Sequence, residues 1–259
     1  MQNLTFSLIQ VDQIWEDKTA NLKKFEHLID FEVNKNTDVI VLPEMFTTAF
    51  SMTPALLAEA PDGDTFQWMK KKSAEKNMVI CGSLIIVENG LYYNRFYWVQ
   101  PDGIFFNYNK KHLFTMAGEH LQYSTGNTRT IIEYKGFRIC PMICFDLRFP
   151  AWNRNTDDYD ILLLVANWPE RRIEHWNPLI IARAIENQAY VVAVNRVGKD
   201  GNGMNHNGHS MVVDPLGKII SFAANTETII FTSVSKQLIE TTRQNLPFLK
   251  ERDNFTFDS

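Results

Sequence analysis

The chain has 259 residues, of which 45% are hydrophobic and 22% are charged, and its formal net charge is −4. These values are ordinary for a globular protein, and they exclude a disordered chain, a collagen and a disulfide-rich miniprotein. The mild negative charge, with no basic stripe, argues against nucleic acid and membrane surfaces as partners. Three cysteines, an odd number, and the absence of a basic leader at the start predict a cytoplasmic protein without disulfides.

Predicted strands and helices alternate in the first half of the chain. Leu22, Phe25 and Ile29 recur at helical spacing, so a surface helix is expected there. The continuous apolar run at 38–42 is typical of a strand covered on both faces. The sequence predicts strands at 4–11, 38–42, 78–87, 92–100 and 104–107, and helices at 22–33 and 64–76, the second capped by Asp64.

The second half of the chain contains more hairpins. A helix is expected at 174–188, with Ile180, Ile181, Ala184 and Ile185 facing inward. Strands are expected at 130–134, 137–143, 161–165, 190–195, 209–213, 219–222 and 228–234. This mixture predicts an α/β fold with mixed sheets. No linker or repeat interrupts the chain, so we expect a single domain over 1–259. Its last segment, about 235–259, would be an extension that packs on the domain or on a partner subunit.

Three chemically complementary residues lie where predicted strands end. Glu44 follows the buried strand at 38–42, Lys111 lies beyond the strand that starts at Ile104, and Cys144 ends the strand at 137–143. In layered α/β folds, functional groups gather at strand ends. A thiol needs a base in order to attack a carbonyl, and an ammonium group can stabilise the resulting oxyanion. The three residues therefore form a candidate catalytic set.

The residues after Cys144 strengthen this interpretation. A turn into a short helix is expected at 146–149, which would place the thiol at a helix N-terminus, where a thiolate is favoured. The backbone N–H of Phe145 would then be a second donor to an oxyanion.

Three motifs around these residues resemble a known family. The segments VLPEMF (41–46), YNKKHLF (108–114) and PMICFDLRFP (141–150) are similar to the glutamate, lysine and cysteine signatures of the nitrilase superfamily of carbon–nitrogen hydrolases. They occur in the family's order. The resemblance extends from the first strand to at least Gly217.

The resemblance implies both a fold and a set of roles. The expected fold is an αββα sandwich of two mixed β-sheets with helices on the outer faces. Glu44 would be the general base, Lys111 the oxyanion stabiliser and Cys144 the nucleophile, while Glu119 resembles the family's second glutamate. The expected enzyme uses no metal and no organic cofactor, and it forms a homodimer or a higher homo-oligomer.

Within the superfamily, the chain most resembles the bacterial omega-amidase (2-oxoglutaramate amidase) branch. This implies hydrolysis of the terminal amide of 2-oxoglutaramate or 2-oxosuccinamate. The acid end of such a substrate needs cations or hydrogen-bond donors. Candidates for substrate binding and for the pocket walls are Arg148, Arg172, Asn167, Trp168, Phe50 and Phe149. Arg148 has a structural alternative, in which it pairs with Asp146 or a backbone carbonyl.

Other interpretations stay open at this point. Cys144 could instead be activated by a histidine, either His112 or His209, with Asp146 as the third member of the set. Cys140 and Cys144 resemble half of a metal site, although no second pair follows. The substrate alternatives are a nitrile, a carbamoyl compound or another aliphatic amide. The functional alternatives are a non-catalytic binding subunit and an acyltransferase.

Overall fold

Two β-sheets form the centre of the computed structural model, which describes residues 2–257. The first sheet has the order β13-β1-β2-β3-β4-β5, and the second has the order β10-β11-β9-β8-β7-β6, with β12 beside β11. Both sheets contain parallel and antiparallel pairs. The strands are β1 (Asn3–Gln10), β2 (Val39–Val41), β3 (Val79–Glu88), β4 (Leu91–Val99), β5 (Phe105–Asn109), β6 (Ile132–Tyr134), β7 (Phe137–Ile143), β8 (Ile161–Val165), β9 (Tyr190–Val194), β10 (Val197–Lys199), β11 (Asn205–Val213), β12 (Ile219–Ala224) and β13 (Thr228–Ser235).

Helices cover the outer faces of the sheets. The helices are α1 (Lys18–Phe31), α2 (Pro54–Leu57), α3 (Asp64–Lys76), α4 (Glu119–Gln122), α5 (Pro150–Asn153), α6 (Ile173–Asn187) and α7 (Lys236–Asn245). One hydrophobic cluster joins side chains of both sheets, such as Phe6 and Leu163, and extends to Trp176 of α6. A second cluster joins the other face of the first sheet to Phe25 of α1 and Met69 of α3. The predicted αββα sandwich of two mixed sheets is confirmed.

Most predicted elements lie within a few residues of the observed ones, and four predictions differ from the structure. Asp64 is the first residue of α3 and not its cap, which is Gly63. Ile185 of α6 was expected to face inward, but it is exposed. The expected helix at 146–149 is a single 3₁₀ turn over Cys144–Arg148. The short β10 was not predicted, and it forms because its backbone pairs with β11.

The C-terminal segment contacts the rest of the same chain. Ile239 of α7 is buried, and the Arg243 guanidinium donates to the carbonyl of Gln188 over 3.1 Å. The contact with a partner subunit that was also considered for this segment stays a prediction. Among residues 2–257, no helix is long and apolar enough to cross a membrane.

Candidate active site

The backbone after β2 holds Glu44 below the surface. Pairing with β3 continues past the strand, since Leu42 N–H donates to the Cys81 carbonyl over 2.8 Å. Met45 N–H then donates to the Ser83 hydroxyl over 2.8 Å. The Gln13 side-chain amide donates to the Glu44 carbonyl over 3.0 Å. These bonds fix the loop that carries the glutamate.

Three donors surround the fully buried Glu44 carboxylate. Asn94 Nδ2 and Lys110 Nζ both reach Oε1, at 2.8 and 3.0 Å. The backbone N–H of Asn167 reaches Oε2 at 2.8 Å. A buried carboxylate without such partners would be strongly disfavoured, so these contacts are a condition for its burial.

Lys110, and not Lys111, is the lysine of this cluster. Its ammonium is fully buried between two carboxylates, 3.0 Å from Glu44 and 2.9 Å from Glu119. Burial by itself would lower the pKa of Lys110, but Glu119 and Glu44 outweigh that effect and raise it above its ordinary value. Lys110 therefore carries a positive charge throughout the physiological range.

Lys111 lies outside this cluster, which corrects the expectation from the sequence. Its Nζ lies 5.4 Å from the centre of the Trp152 ring. Side chains alternate along an extended segment, so Tyr108 and Lys110 share the inward face while Lys111 does not. The buried aromatic two residues earlier was the signal that distinguishes the two lysines.

Glu119 is the second carboxylate that contacts Lys110. It is fully buried in the short helix α4, and both of its oxygens lie 2.9 Å from Lys110 Nζ. The backbone N–H of Phe114 also donates to it. Burial raises the pKa of Glu119, and the attraction of Lys110 offsets only part of this rise. Glu119 and Glu44 are thus joined through the lysine that both of them contact.

Cys144 stands on a strained turn at the end of β7. Its φ is +44°, in the left-handed region that L-residues rarely adopt. The Asp146 carboxylate fixes this turn, accepting from Ile143 N–H over 3.1 Å and from the Tyr108 hydroxyl over 2.8 Å. Such strain is common at reactive residues and needs a surrounding structure that holds it.

Burial and neighbouring charges both change the pKa of the Cys144 thiol. Burial raises its pKa well above the ordinary value, and the negative charge of Glu44 adds to the rise. Lys110 and the backbone N–H of Asn167 act in the opposite direction. The group at rest is therefore a neutral thiol that needs a base to become a nucleophile.

A cavity of about 570 Å³ opens above the thiol. Lys110 and Cys144 line it, while Glu44 and Glu119 lie behind its wall. His206 also lines the cavity, and burial lowers its pKa to about 4, so it is neutral at pH 7. The guanidinium groups in the lining are those of Arg148, Arg171 and Arg172.

Arg148 and Arg172 lie against aromatic rings and not against carboxylates. The Arg148 guanidinium is 4.6 Å from the centre of a Trp168 ring, and that of Arg172 is 4.8 Å from Phe114. Arg148 also contacts His175 Nδ1 at 3.0 Å, so the considered pairing with Asp146 is wrong. Within residues 2–257, neither guanidinium has a carboxylate partner within 4.0 Å.

The other expected binding residues divide into two groups. Phe50 lines the cavity, with its ring centre 5.0 Å from Lys110 Nζ. Phe149 is absent from the lining and stacks on His112, with ring centres 3.6 Å apart.

Asn167 and Trp168 line the cavity, and each of their side chains already donates a hydrogen bond. Asn167 Nδ2 donates to the Glu44 carbonyl over 2.5 Å. The Trp168 ring N–H donates to the Arg172 carbonyl over 2.8 Å. The single N–H of the Trp168 ring is therefore not available to a ligand while this bond persists, whereas Asn167 Nδ2 keeps its second N–H.

The histidines take other partners. His112 Nδ1 lies 2.9 Å from Asp146, whose carboxylate fixes the turn of the cysteine. His209 Nδ1 contacts the Asn177 side chain. Within the described part of the chain, no hydrogen bond joins either ring to Cys144, and no group of three potential ligands could hold a metal ion.

Sequence reasoning missed the neutral side chains that hold the site. Asn94 and Gln13 contact Glu44, and Asn195 binds both the N–H and the carbonyl of Trp168. Their only signal in the sequence is an amide side chain inside or beside an otherwise apolar strand, because such a group needs buried partners.

An α/β sandwich with a thiol, a carboxylate and an ammonium gathered at its strand ends is the arrangement expected of a carbon–nitrogen hydrolase. The carbon–nitrogen hydrolase family model matches residues 5–244, and the chain belongs to that family. It is 45% identical to omega-amidase YafV of Escherichia coli over 98% of this chain and 99% of that protein.

Two further relatives agree with this assignment. The chain is 35% identical to 2-oxoglutaramate amidase of Bacillus subtilis, over 94% of this chain and 95% of the relative. The crystal structure of XC1258 from Xanthomonas campestris, a CN-hydrolase superfamily protein with an arsenic adduct in its active site, superimposes with a TM-score of 0.96. Its sequence is 37% identical, and the match covers both chains fully.

The two adjacent lysines provide a matched test of the site. We expect Lys110→Met to lower kcat/KM for amide hydrolysis by about 1000-fold, the scale of an oxyanion donor. We expect Lys111→Met to retain nearly full activity, because its ammonium lies over Trp152. Ammonia release measures both variants.

Folding must be checked in the same experiment. Lys110→Met leaves two buried carboxylates without their cation, which is expected to cost about 3–5 kcal/mol of stability. Thermal unfolding followed by circular dichroism identifies a temperature at which both variants are folded, and activity is measured at that temperature. Equal activity losses in the two folded variants would contradict the placement of Lys110.

Proposed function

We propose that this protein is an amidase that hydrolyses the terminal amide of small 2-oxo acid amides, such as 2-oxoglutaramate and 2-oxosuccinamate. The products are ammonia and a 2-oxo dicarboxylic acid. The observation that supports this most directly is a cavity with a thiol at its floor and guanidinium groups in its wall, in a chain 45% identical to an omega-amidase. Such a cavity suits a substrate with an amide at one end and a carboxylate at the other.

The first half of the reaction forms a thioester. Glu44 accepts the Cys144 proton as the sulfur attacks the amide carbon, and the carbonyl oxygen becomes an oxyanion. Lys110 and the Phe145 backbone N–H are the proposed donors to that oxyanion. Glu44 then gives its proton to the amide nitrogen, the carbon–nitrogen bond breaks, and ammonia leaves.

The second half releases the acid. Water attacks the thioester carbon while Glu44 takes one of its protons. The carbon–sulfur bond breaks, and the thiolate of Cys144 recovers a proton from Glu44. We assign Glu119 the role of holding Lys110, since both of its oxygens contact that ammonium.

The acid end of the substrate is assigned to Arg148 and Arg172. Each guanidinium is held by an aromatic ring, which fixes its plane without neutralising its charge. Burial lowers the pKa of both groups, yet an arginine starts so far above neutrality that it stays charged. A carboxylate in the cavity would supply the partner that both lack among residues 2–257.

A substrate panel tests the proposed activity. We expect ammonia release from 2-oxoglutaramate and 2-oxosuccinamate to exceed that from glutamine, asparagine, a simple aliphatic amide, a carbamoyl compound and a nitrile. Cys144→Ala is the control and should release no ammonia, whereas Cys140→Ala removes a buried thiol of β7 and should stay active. A preference for the nitrile or the carbamoyl compound would refute the substrate class and leave the family unchanged.

Removing one guanidinium separates binding from chemistry. We expect Arg148→Gln and Arg172→Gln each to raise KM for 2-oxoglutaramate by about 10- to 100-fold, the scale of one hydrogen bond to a charged group. The aliphatic amide serves as the matched control, because it has no carboxylate, and its kcat/KM should hardly change. Equal losses for both substrates would show that the arginines act on the fold and not on the acid end.

We also propose a homodimer, with cytoplasmic location as a further prediction based on cysteines that remain unpaired. Ile185 of α6 lies on the outer face, and β12 beside β11 exposes Ile219, Ile220 and Phe222. Apolar patches of this kind mark interaction surfaces.

A charge in this patch tests the proposed assembly. Light scattering should give twice the chain mass for the wild type and a single chain mass for Ile220→Glu. Phe31→Glu, at an exposed position on α1, is the matched control and should keep the wild-type mass. A monomeric wild type would overturn the proposal.

A further inference from the structure

One buried residue contacts both the proposed base and the segment that carries the lysine. Asn94 lies in β4 and is fully buried. Its side-chain Nδ2 donates to Glu44 Oε1 over 2.8 Å, and its backbone carbonyl accepts from the backbone N–H of Lys110 over 3.0 Å. Gln13 and Asn167 also bring amide side chains to Glu44, but those side chains donate to its backbone oxygen. Among the described side chains, the only neutral donor to the carboxylate itself is Asn94.

The donors are distributed unequally over the two oxygens of Glu44. Oε1 receives Asn94 at 2.8 Å and Lys110 at 3.0 Å, whereas Oε2 receives one backbone N–H, that of Asn167. A carboxylate oxygen has two lone pairs in its plane. Oε1 is therefore saturated, while Oε2 keeps one lone pair with no donor among residues 2–257.

We propose that Asn94 is a positioning residue that, together with Lys110, saturates Glu44 Oε1 and so leaves Oε2 as the atom that takes the proton from Cys144. The inference rests on the proposed function, in which Glu44 is the general base.

The surroundings of Oε2 support this assignment. The Asn167 N–H that donates to Oε2 belongs to a residue that lines the cavity together with Cys144. Within residues 2–257, Oε2 therefore keeps a free lone pair next to the cavity that holds the thiol.

The oxygen of the Asn94 side chain supports a role as donor. Within the described part of the chain, Oδ1 is buried and has no hydrogen-bond partner. An unpaired buried acceptor is destabilising, because it has lost its hydrogen bonds to water. Turning the amide over would place Oδ1 against the anionic Oε1, which is repulsive. The orientation is therefore set by the carboxylate, at the expense of the amide oxygen.

Asn94→Asp tests the proposal with nearly the same shape. At neutral pH the introduced carboxylate cannot donate and repels Glu44, so we expect kcat to fall by about 100-fold or more, the range of general-base catalysis, with little change in KM. At lower pH the introduced carboxyl becomes protonated and can donate to Oε1 again. The pH optimum should therefore shift to lower pH. Ammonia release from the best amide of the panel gives the pH profile.

Two further variants make the test specific. Asn94→Ala removes the donor without adding a charge, and it should lower kcat without that shift of the optimum. Asn107→Asp places the same substitution at an exposed position of β5 and should reproduce the wild-type profile. Thermal unfolding confirms that each variant is folded at the assay temperature.

The outcomes separate this inference from the proposed function. A folded Asn94→Asp variant with the wild-type profile, or with a loss independent of pH, overturns the role of Asn94. Glu44→Gln is measured alongside it. Wild-type activity in Glu44→Gln would remove the base and the proposed mechanism with it, whereas an inactive Glu44→Gln beside a normal Asn94→Asp overturns the positioning role alone.

Discussion

The buried ammonium of Lys110, held between Glu44 and Glu119, is the interaction on which the rest of the site depends. Removing three charged groups from water costs several kcal/mol for each ion, and this cost is recovered only when the geometry is good and further hydrogen bonds are made. Here the contacts are 2.9–3.0 Å, and backbone or amide donors complete both carboxylates. The charges are therefore stable only as a set, and removing one member leaves the others unpaired.

The fold is what brings this set together. Glu44 follows β2, Lys110 follows β5 and Glu119 belongs to a helix nine residues later, while Cys144 ends β7 in the other sheet. Asp146 links the two sheets beside the thiol, since it accepts from the Tyr108 hydroxyl of β5. The sandwich thus acts as a rigid support for groups that are distant in sequence, which is how a site can be positioned to within a fraction of an ångström.

The resemblance of the three motifs to a known family implied the αββα sandwich. The sequence itself predicted an α/β fold with mixed sheets, the main strands, and the positions of Glu44 and Cys144 at strand ends, because hydrophobic periodicity and strand ends are local signals. It misplaced the lysine, because the choice between Lys110 and Lys111 depends on which face of β5 is buried. It missed Asn94, because the partner of that side chain, Glu44, lies 50 residues away in the chain. It also missed the short strand β10, because three residues are too few to show strand periodicity. The inward assignment of Ile185 also failed, since periodicity identifies an apolar stripe but not its full width.

The neutral character of the remaining donors agrees with the proposed role of Glu44 as a base. Hydrogen bonds from charged donors are about twice as strong as those from neutral ones. A second cation at Oε1 would hold the carboxylate so firmly in its ionised form that it would accept a proton poorly. Neutral N–H groups orient the carboxylate with a weaker pull, and the Asn94 side chain and the Asn167 backbone N–H both act in this way. One cation and two neutral donors is therefore the arrangement that the proposed mechanism requires, since it fixes the Glu44 carboxylate in place and leaves it able to accept a proton.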